Sequence, residues 1–118
     1  MKLAIPEIKQ GEKYLGAITE PDGRTRHTIV LPGDHDNANW DDSMEWAKSI
    51  GGDLPDRIEQ AMMLAFMHEE FKREAYWSNT LHTEDSGYAW FQKFRYGGQN
   101  DIDRSGRCRA RAVRRVAI

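Results

Sequence analysis

The chain has 118 residues, a formal net charge of −2 and a single cysteine. This length suffices for one domain spanning residues 1–118, and a lone cysteine forms no internal disulfide, so nothing indicates an oxidising compartment. The N-terminus lacks a sustained apolar stretch, which predicts neither a signal peptide nor a membrane anchor and makes a cytoplasmic location the default expectation.

Charge is distributed unevenly along the chain. Residues 1–60 carry twelve acidic and seven basic side chains, whereas residues 61–118 carry seven acidic and ten basic ones. A domain committed to a phosphate backbone is usually basic overall, so this balance disfavours nonspecific DNA binding as the main function.

The first predicted element is a β-hairpin. Two apolar runs, Tyr14 to Ile18 and Thr28 to Leu31, flank the turn sequence Pro21-Asp22-Gly23. Proline presets φ in such a turn and glycine tolerates a positive φ, so this order favours two antiparallel strands.

Two helices are predicted next. The first follows a polar loop, with Asp41, Asp42 or Ser43 as candidate caps, and ends at a glycine pair. The second begins at a capping-box spacing, Asp56 followed by Glu59. Residues 61–67 are apolar at every position, which predicts that this helix is covered on most sides by the core.

Three strand candidates follow, around residues 76–80, 88–96 and 107–116. The order predicts an α+β fold with two helices packed on a small antiparallel sheet. Alternation along the last candidate puts a row of small residues inward and a row of arginines outward: Cys108, Ala110 and Ala112 against Arg107, Arg109 and Arg111. The arginines are then exposed on one strand face, as solvated charge or as a binding surface.

The sequence carries no catalytic or metal-binding motif. Cys108 fits a core position better than a nucleophile, and the four histidines are scattered. Asp101 to Gly106 matches the first half of a calcium loop, but Ala112 stands where a bidentate glutamate is needed. We therefore expect no catalytic residue, no bound metal and no cofactor.

Several motifs occur in an order that matches a known family. They are a helix that contains Trp46, a following glycine, an L-P-D-x-x-E helix start, Y-W-S-N-T, A-W and a final R-x-V-R-R-V segment. Across residues 38–118 this set resembles the DUF1566 type of C-type-lectin-like domain, and it is similar to the variable domains of diversity-generating retroelement target proteins. The positions that match are Trp46, Gly52, Leu54, Pro55, Glu59, Tyr76, Trp77, Ser78, Ala89, Trp90, Val113, Arg114, Arg115 and Val116.

The resemblance implies a C-type-lectin-like fold and a binding surface on its later strands. Alternation places Trp90, Gln92 and Phe94 on one face of a strand and Phe91, Lys93 and Arg95 on the other. The second face and the following loop are the predicted site, with these residues: Phe91, Lys93, Arg95, Tyr96, Gln99, Asn100, Asp101, Asp103, Arg104 and Arg107. The calcium motifs of sugar-binding lectins are absent, so calcium-dependent sugar binding is not implied.

The resemblance also implies a function. We expect a non-enzymatic protein-binding module, encoded by a phage or prophage, that binds a host protein or a host defence complex as an inhibitor. The alternative is a nucleic-acid-binding protein that uses the arginine-rich C-terminal segment together with two aromatic rings. Its residues are Lys93, Arg95, Arg104, Arg107, Arg109 and Arg111, with Phe91 and Tyr96 for base stacking.

Overall fold

The structure is a computed structural model that describes residues 4–118. It is an α+β fold with two α-helices, a three-stranded sheet and a five-stranded sheet. The elements in chain order are β1 (Lys13–Thr19), β2 (Thr25–Val30), β3 (His35–Ala38), α1 (Trp40–Ser49), α2 (Arg57–Met67), a 3-10 turn (His68–Glu70), β4 (Ala75–Leu81), β5 (Tyr88–Lys93), β6 (Gln99–Asp103), β7 (Cys108–Ala110) and β8 (Val113–Ala117).

The predicted N-terminal hairpin is confirmed. Strands β1 and β2 pair antiparallel, and Gly23 lies in the turn between them with a φ of 92°, a conformation that glycine adopts without strain. The C-terminal strand β8 pairs with β2 on its other side, so the first and last strands share one sheet.

The five-stranded sheet has the order β3-β7-β4-β5-β6, and the strands differ from the prediction in four respects. Strand β7 pairs with β4 in parallel, at Tyr76 and Arg109, so the expectation of a wholly antiparallel sheet was wrong. Residues 99–103 form a strand rather than part of a loop, and residues 107–116 divide into β7 and β8. Strand β3 lies in a segment that the sequence predicted as a polar loop.

The two helices cover opposite faces of this sheet. Helix α1 begins at the cap residue Asn39, whose side chain accepts from the backbone of Asp42, in place of the caps that we expected. It packs on the face that carries Trp77 and Phe91. Helix α2 packs toward Tyr76 on the other face, and its predicted capping box is present.

One buried charge cluster ties α2 to the three-stranded sheet. Glu59 has no exposed surface, and its carboxylate accepts two hydrogen bonds from Arg115, at 2.9 and 2.7 Å, and one from Thr28 at 2.7 Å. Burial alone raises the pKa of Glu59, but the Arg115 guanidinium and the hydrogen bonds from Asp56 and Thr28 together more than offset this, and the pKa lies below its ordinary value. Glu59 is therefore an ionised core residue whose partner comes from the last strand.

A second ion pair gives a prediction about pH. Glu12 receives hydrogen bonds from both Nε and Nη2 of Arg114, each 2.9 Å long, and these lower its pKa from 4.5 to about 2. A carboxyl with a depressed folded-state pKa stabilises the fold above its unfolded pKa, and this contribution is lost as the pH falls through the folded value. Between pH 4.5 and 2 we expect urea denaturation to show a steeper loss of stability for the wild type than for Glu12→Gln. Parallel curves would contradict this role of Glu12.

Within residues 4–118, no helix is both long enough and apolar enough to cross a membrane.

Candidate functional site

The end of the β5–β6 hairpin is held by hydrogen bonds from a buried side chain. The buried amide of Gln92 donates to the backbone carbonyls of Lys93, Gly97 and Gly98, at 3.1, 3.1 and 3.2 Å. Gly97 has a φ of 82°, which favours glycine because a side chain there would be strained. The turn over residues 94–98 is therefore held from inside, and its outer side chains project from a fixed backbone.

Two of the predicted site residues, Arg95 and Tyr96, are exposed on this turn. The side chain of Tyr96 is 78% exposed, and the Arg95 guanidinium lies 5.1 Å from the centre of the Tyr96 ring. Among the described residues, neither Lys93 nor Arg95 forms an ion pair. The turn thus presents an aromatic ring and two unpaired cations together.

The predicted assignment of faces on β5 was wrong for Phe91. Phe91 is only 6% exposed and packs in the core cluster with Trp77, whereas Trp90 is partly exposed on the opposite face. The reason is that both faces of β5 are covered, by α1 on one side and α2 on the other. Lys93 and Arg95 of the predicted outward row are exposed, but alternation gives no sign that the middle of β5 is covered on both faces.

Trp90 forms a cluster with Arg57 and His82, and two of the predicted site residues, Gln99 and Asp101, contact this cluster. The Arg57 guanidinium lies 3.6 Å from the centre of the Trp90 ring, and the His82 ring stacks on Trp90 with 5.7 Å between centroids. Gln99 exchanges hydrogen bonds with Arg57, at 2.9 and 2.8 Å, and Asp101 lies 3.7 Å from His82. These contacts hold Gln99 at the N-terminus of α2 and Asp101 beside His82.

The remaining predicted residues lie at the opposite end of β6. Asp103 pairs with Tyr88 at the start of β5, whereas Gln99 pairs with Gln92 near its end, so the strand separates the two groups by about 14 Å. Arg104 pairs with Asp41, and Arg107 donates to the carbonyl of Asn37 at 3.3 Å. Asp103 accepts from Ser105, and exposed Asn100 lies between Gln99 and Asp101 in the first group. The structure therefore divides the predicted surface in two.

In the arginine row, Arg107 is exposed, but Arg109 and Arg111 are not, contrary to our expectation. Arg109 contacts the carboxylates of Asp34, Asp36 and Glu74, at 2.8, 3.1 and 3.4 Å. Arg111 is buried and donates to the backbone carbonyls of Leu31 and Glu70. These guanidinium groups hold loops onto the sheet and have little capacity left for phosphate.

The single cysteine lies in the core. Cys108 is buried beside Ala110 and Ala112, as predicted, and burial raises the pKa of its thiol to about 12. A thiol of that pKa is a poor nucleophile near neutral pH. Across residues 4–118, no three His, Cys, Asp or Glu side chains are grouped as a metal site would need.

The outer face of α2 is a surface that the sequence interpretation missed. Ile58 is 55% exposed and Phe66 is 66% exposed, and Ala61 and Ala65 are also exposed between them. The signal was present, because seven consecutive apolar positions exceed what one packed side of a surface helix requires. We had assigned most of residues 61–67 to the core, which was wrong for Ala61, Ala65 and Phe66.

The motifs behind the family resemblance lie mainly in the interior. Leu54, Pro55 and Trp77 are buried, and Trp46 stacks on His35 with 4.8 Å between ring centroids. No family model matches the chain, and no curated protein matches it. The motif residues thus account for packing, and the function has to be argued from the exposed side chains.

Proposed function

We propose that this chain is a C-type-lectin-like module that binds a protein partner without chemical turnover. The observation that carries the proposal is the braced turn that presents Tyr96 and Arg95 beside Lys93. Tyrosine and arginine dominate protein interfaces because they bury a large area and form several polar contacts. A preformed turn also lowers the conformational entropy lost on binding.

The contacts of the arginine row favour a protein partner over a nucleic acid. Of the six cations in the alternative, Arg104 and Arg109 form ion pairs and Arg111 is buried. A phosphate backbone would have to compete with those carboxylates, and Phe91 is in the core rather than available for stacking. Titration of labelled single- and double-stranded oligonucleotides at two salt concentrations tests this point, since phosphate contacts produce a steep salt dependence.

The biological setting remains the one that the family resemblance suggests. We propose a phage or prophage protein that binds a host protein, such as a component of a defence complex, and inhibits it. Affinity capture from host lysate with wild-type protein, followed by reconstitution with the purified partner, tests both statements. Turnover of a defined substrate by the purified chain alone would contradict the proposal of a binding module.

Substitutions on the turn should weaken partner binding without unfolding the protein. Tyr96→Ala and Arg95→Ala should each cost about 1–4 kcal/mol of binding free energy, because each removes an exposed side chain of the kind that forms interface hot spots. The measurement is calorimetric titration of the captured partner, with the melting temperature recorded for each variant. Tyr88→Ala and Arg107→Ala are matched controls, since both residues are exposed at the other end of the β5–β6 hairpin. Equal losses in variants and controls would show that the wrong end was chosen.

A further inference from the structure

The outer face of α2 is apolar and has no covering element among the described residues. Between Arg57 and His68 the only charged side chain is Glu59, which points inward and is fully buried. Surface helices normally place charged and polar residues on their outer side, and a contiguous exposed apolar patch usually marks an interaction site. Ile58, Ala61, Ala65 and Phe66 are exposed apolar residues of this one helix.

A groove runs between this helix and the hairpin turn. It consists of two adjoining depressions of about 510 and 680 Å³, which share Leu64 and Gly97 in their lining. The turn approaches the helix closely, since a Cβ atom on Gly97 would lie 3.2 Å from Leu64. Ile58 lines one depression, and the exposed Tyr96 lines the other.

The charge on the groove indicates what it binds. Three arginines line it, Arg57, Arg73 and Arg95, and among the described residues none of them forms an ion pair. Glu69 is the acidic residue in the lining, and it lies 3.6 Å from His68. A partner that covers these guanidinium groups without supplying carboxylates would have to desolvate unpaired charge, which is costly.

We infer that the groove between α2 and the β5–β6 turn binds an acidic, amphipathic segment of a partner protein. This inference rests on the proposed function and specifies the partner that it requires. Apolar side chains of the segment contact Ile58 and Leu64, and its carboxylates pair with Arg73 and Arg95. A symmetric second copy fits less well, because it would bring this positive rim against itself. A nucleic acid leaves the apolar side of the groove without a matching surface.

A pair of designed peptides tests the inference. The probes are an amphipathic peptide of Leu, Phe and Glu and a matched peptide in which every Glu is replaced by Lys, added to ¹⁵N-labelled protein. We expect the acidic peptide to shift the backbone amides of Ala61, Leu64, Ala65 and Gly97, with a dissociation constant on the order of 0.1 mM. The Lys peptide should leave them unchanged.

Charge reversal provides the matched variants. In Arg73→Glu/Arg95→Glu we expect affinity for the acidic peptide to fall at least about tenfold and the Lys peptide to begin to bind. Arg107→Glu is the control, since Arg107 is an exposed arginine outside the groove, and affinity should stay unchanged. The inference is supported only if the charge-reversed variant binds the Lys peptide in preference to the acidic peptide, as measured by shifts of the four amides.

Several results would overturn the inference. They are no shifts at these amides with the acidic peptide, equal binding of the two peptides, equal shifts with an oligo-dT strand, or a concentration-dependent dimer that protects this face. The proposed function fails separately, in the capture experiment. A captured partner that depends on Tyr96 but binds through a basic segment would leave the proposed function intact and remove this inference.

Discussion

Glu59→Ala should lower the free energy of unfolding by about 3–5 kcal/mol, because it leaves the Arg115 guanidinium partly buried without its main partner. Glu59 has no exposed surface, and besides Arg115 its carboxylate accepts from Thr28 and from the backbone of Asp56. The same substitution removes the glutamate of the capping box at the start of α2. Equilibrium denaturation in urea, followed by circular dichroism, measures the loss.

The control for this prediction is Glu69→Ala. Glu69 is a glutamate in the turn after α2 with a side chain 68% exposed, and surface substitutions of this kind change stability by less than about 0.5 kcal/mol. Arg115→Ala should cost an amount similar to Glu59→Ala, and the double variant should cost far less than the sum of the two. Additive losses would show that the two residues stabilise the fold independently.

Trp77→Ala should destabilise the protein by about 3–5 kcal/mol, the usual cost of truncating a fully buried aromatic residue. Trp77 has no exposed surface and lies in the core between α1 and the five-stranded sheet. Its indole N–H donates to the carbonyl of Ala38 at 2.8 Å, so truncation also leaves that carbonyl without this partner. Thermal and urea denaturation of the purified variant provide the measurement.

Trp90→Ala is the matched control, and we expect it to cost less than half as much. Trp90 has the same side chain on the neighbouring strand, but it is partly exposed and is covered mainly by Arg57 and His82. The sequence places Trp90 in the inward row with Gln92, and it therefore predicts that both Trp77 and Trp90 are core residues. Equal losses in the two variants would contradict the division of roles that the structure gives.

Local signals in the sequence predicted the parts of the fold that depend on local chemistry. The turn Pro21-Asp22-Gly23 and the capping box of Asp56 and Glu59 involve residues within three positions of each other, and both are present. The buried row that includes Cys108 followed from alternation, because its members are all small. Fold class followed in turn from the order of these elements.

Pairings between distant segments could not be predicted in the same way. Arg109 reaches Asp34 across 75 positions, and Arg115 reaches Glu59 across 56. An arginine that alternates with small residues has the same pattern whether its guanidinium meets water or a carboxylate from another loop. The parallel contact between β4 and β7 is likewise set by tertiary packing.

The candidate site was predicted only in part, because some of its features depend on local sequence and others on contacts between distant segments. Arg95 and Tyr96 are exposed together because they lie in one turn, which local sequence specifies. Phe91 was wrongly predicted to be exposed, because alternation along β5 does not show that both faces of the strand are covered at this position. The contribution of α2 was missed because the groove depends on how the hairpin turn approaches Leu64.

Hydrogen exchange on the complex with the captured partner tests the central claim most directly, namely that binding occurs at α2 and the hairpin turn. Mass spectrometry compares amide exchange in the free and bound protein, with the Tyr96→Ala variant as the negative control. We expect the partner to protect residues 57–67 and 93–99 of the wild type from exchange, and we expect no such protection in the Tyr96→Ala variant. Protection confined to residues 34–42, or to the arginine-rich residues 104–111, would contradict it.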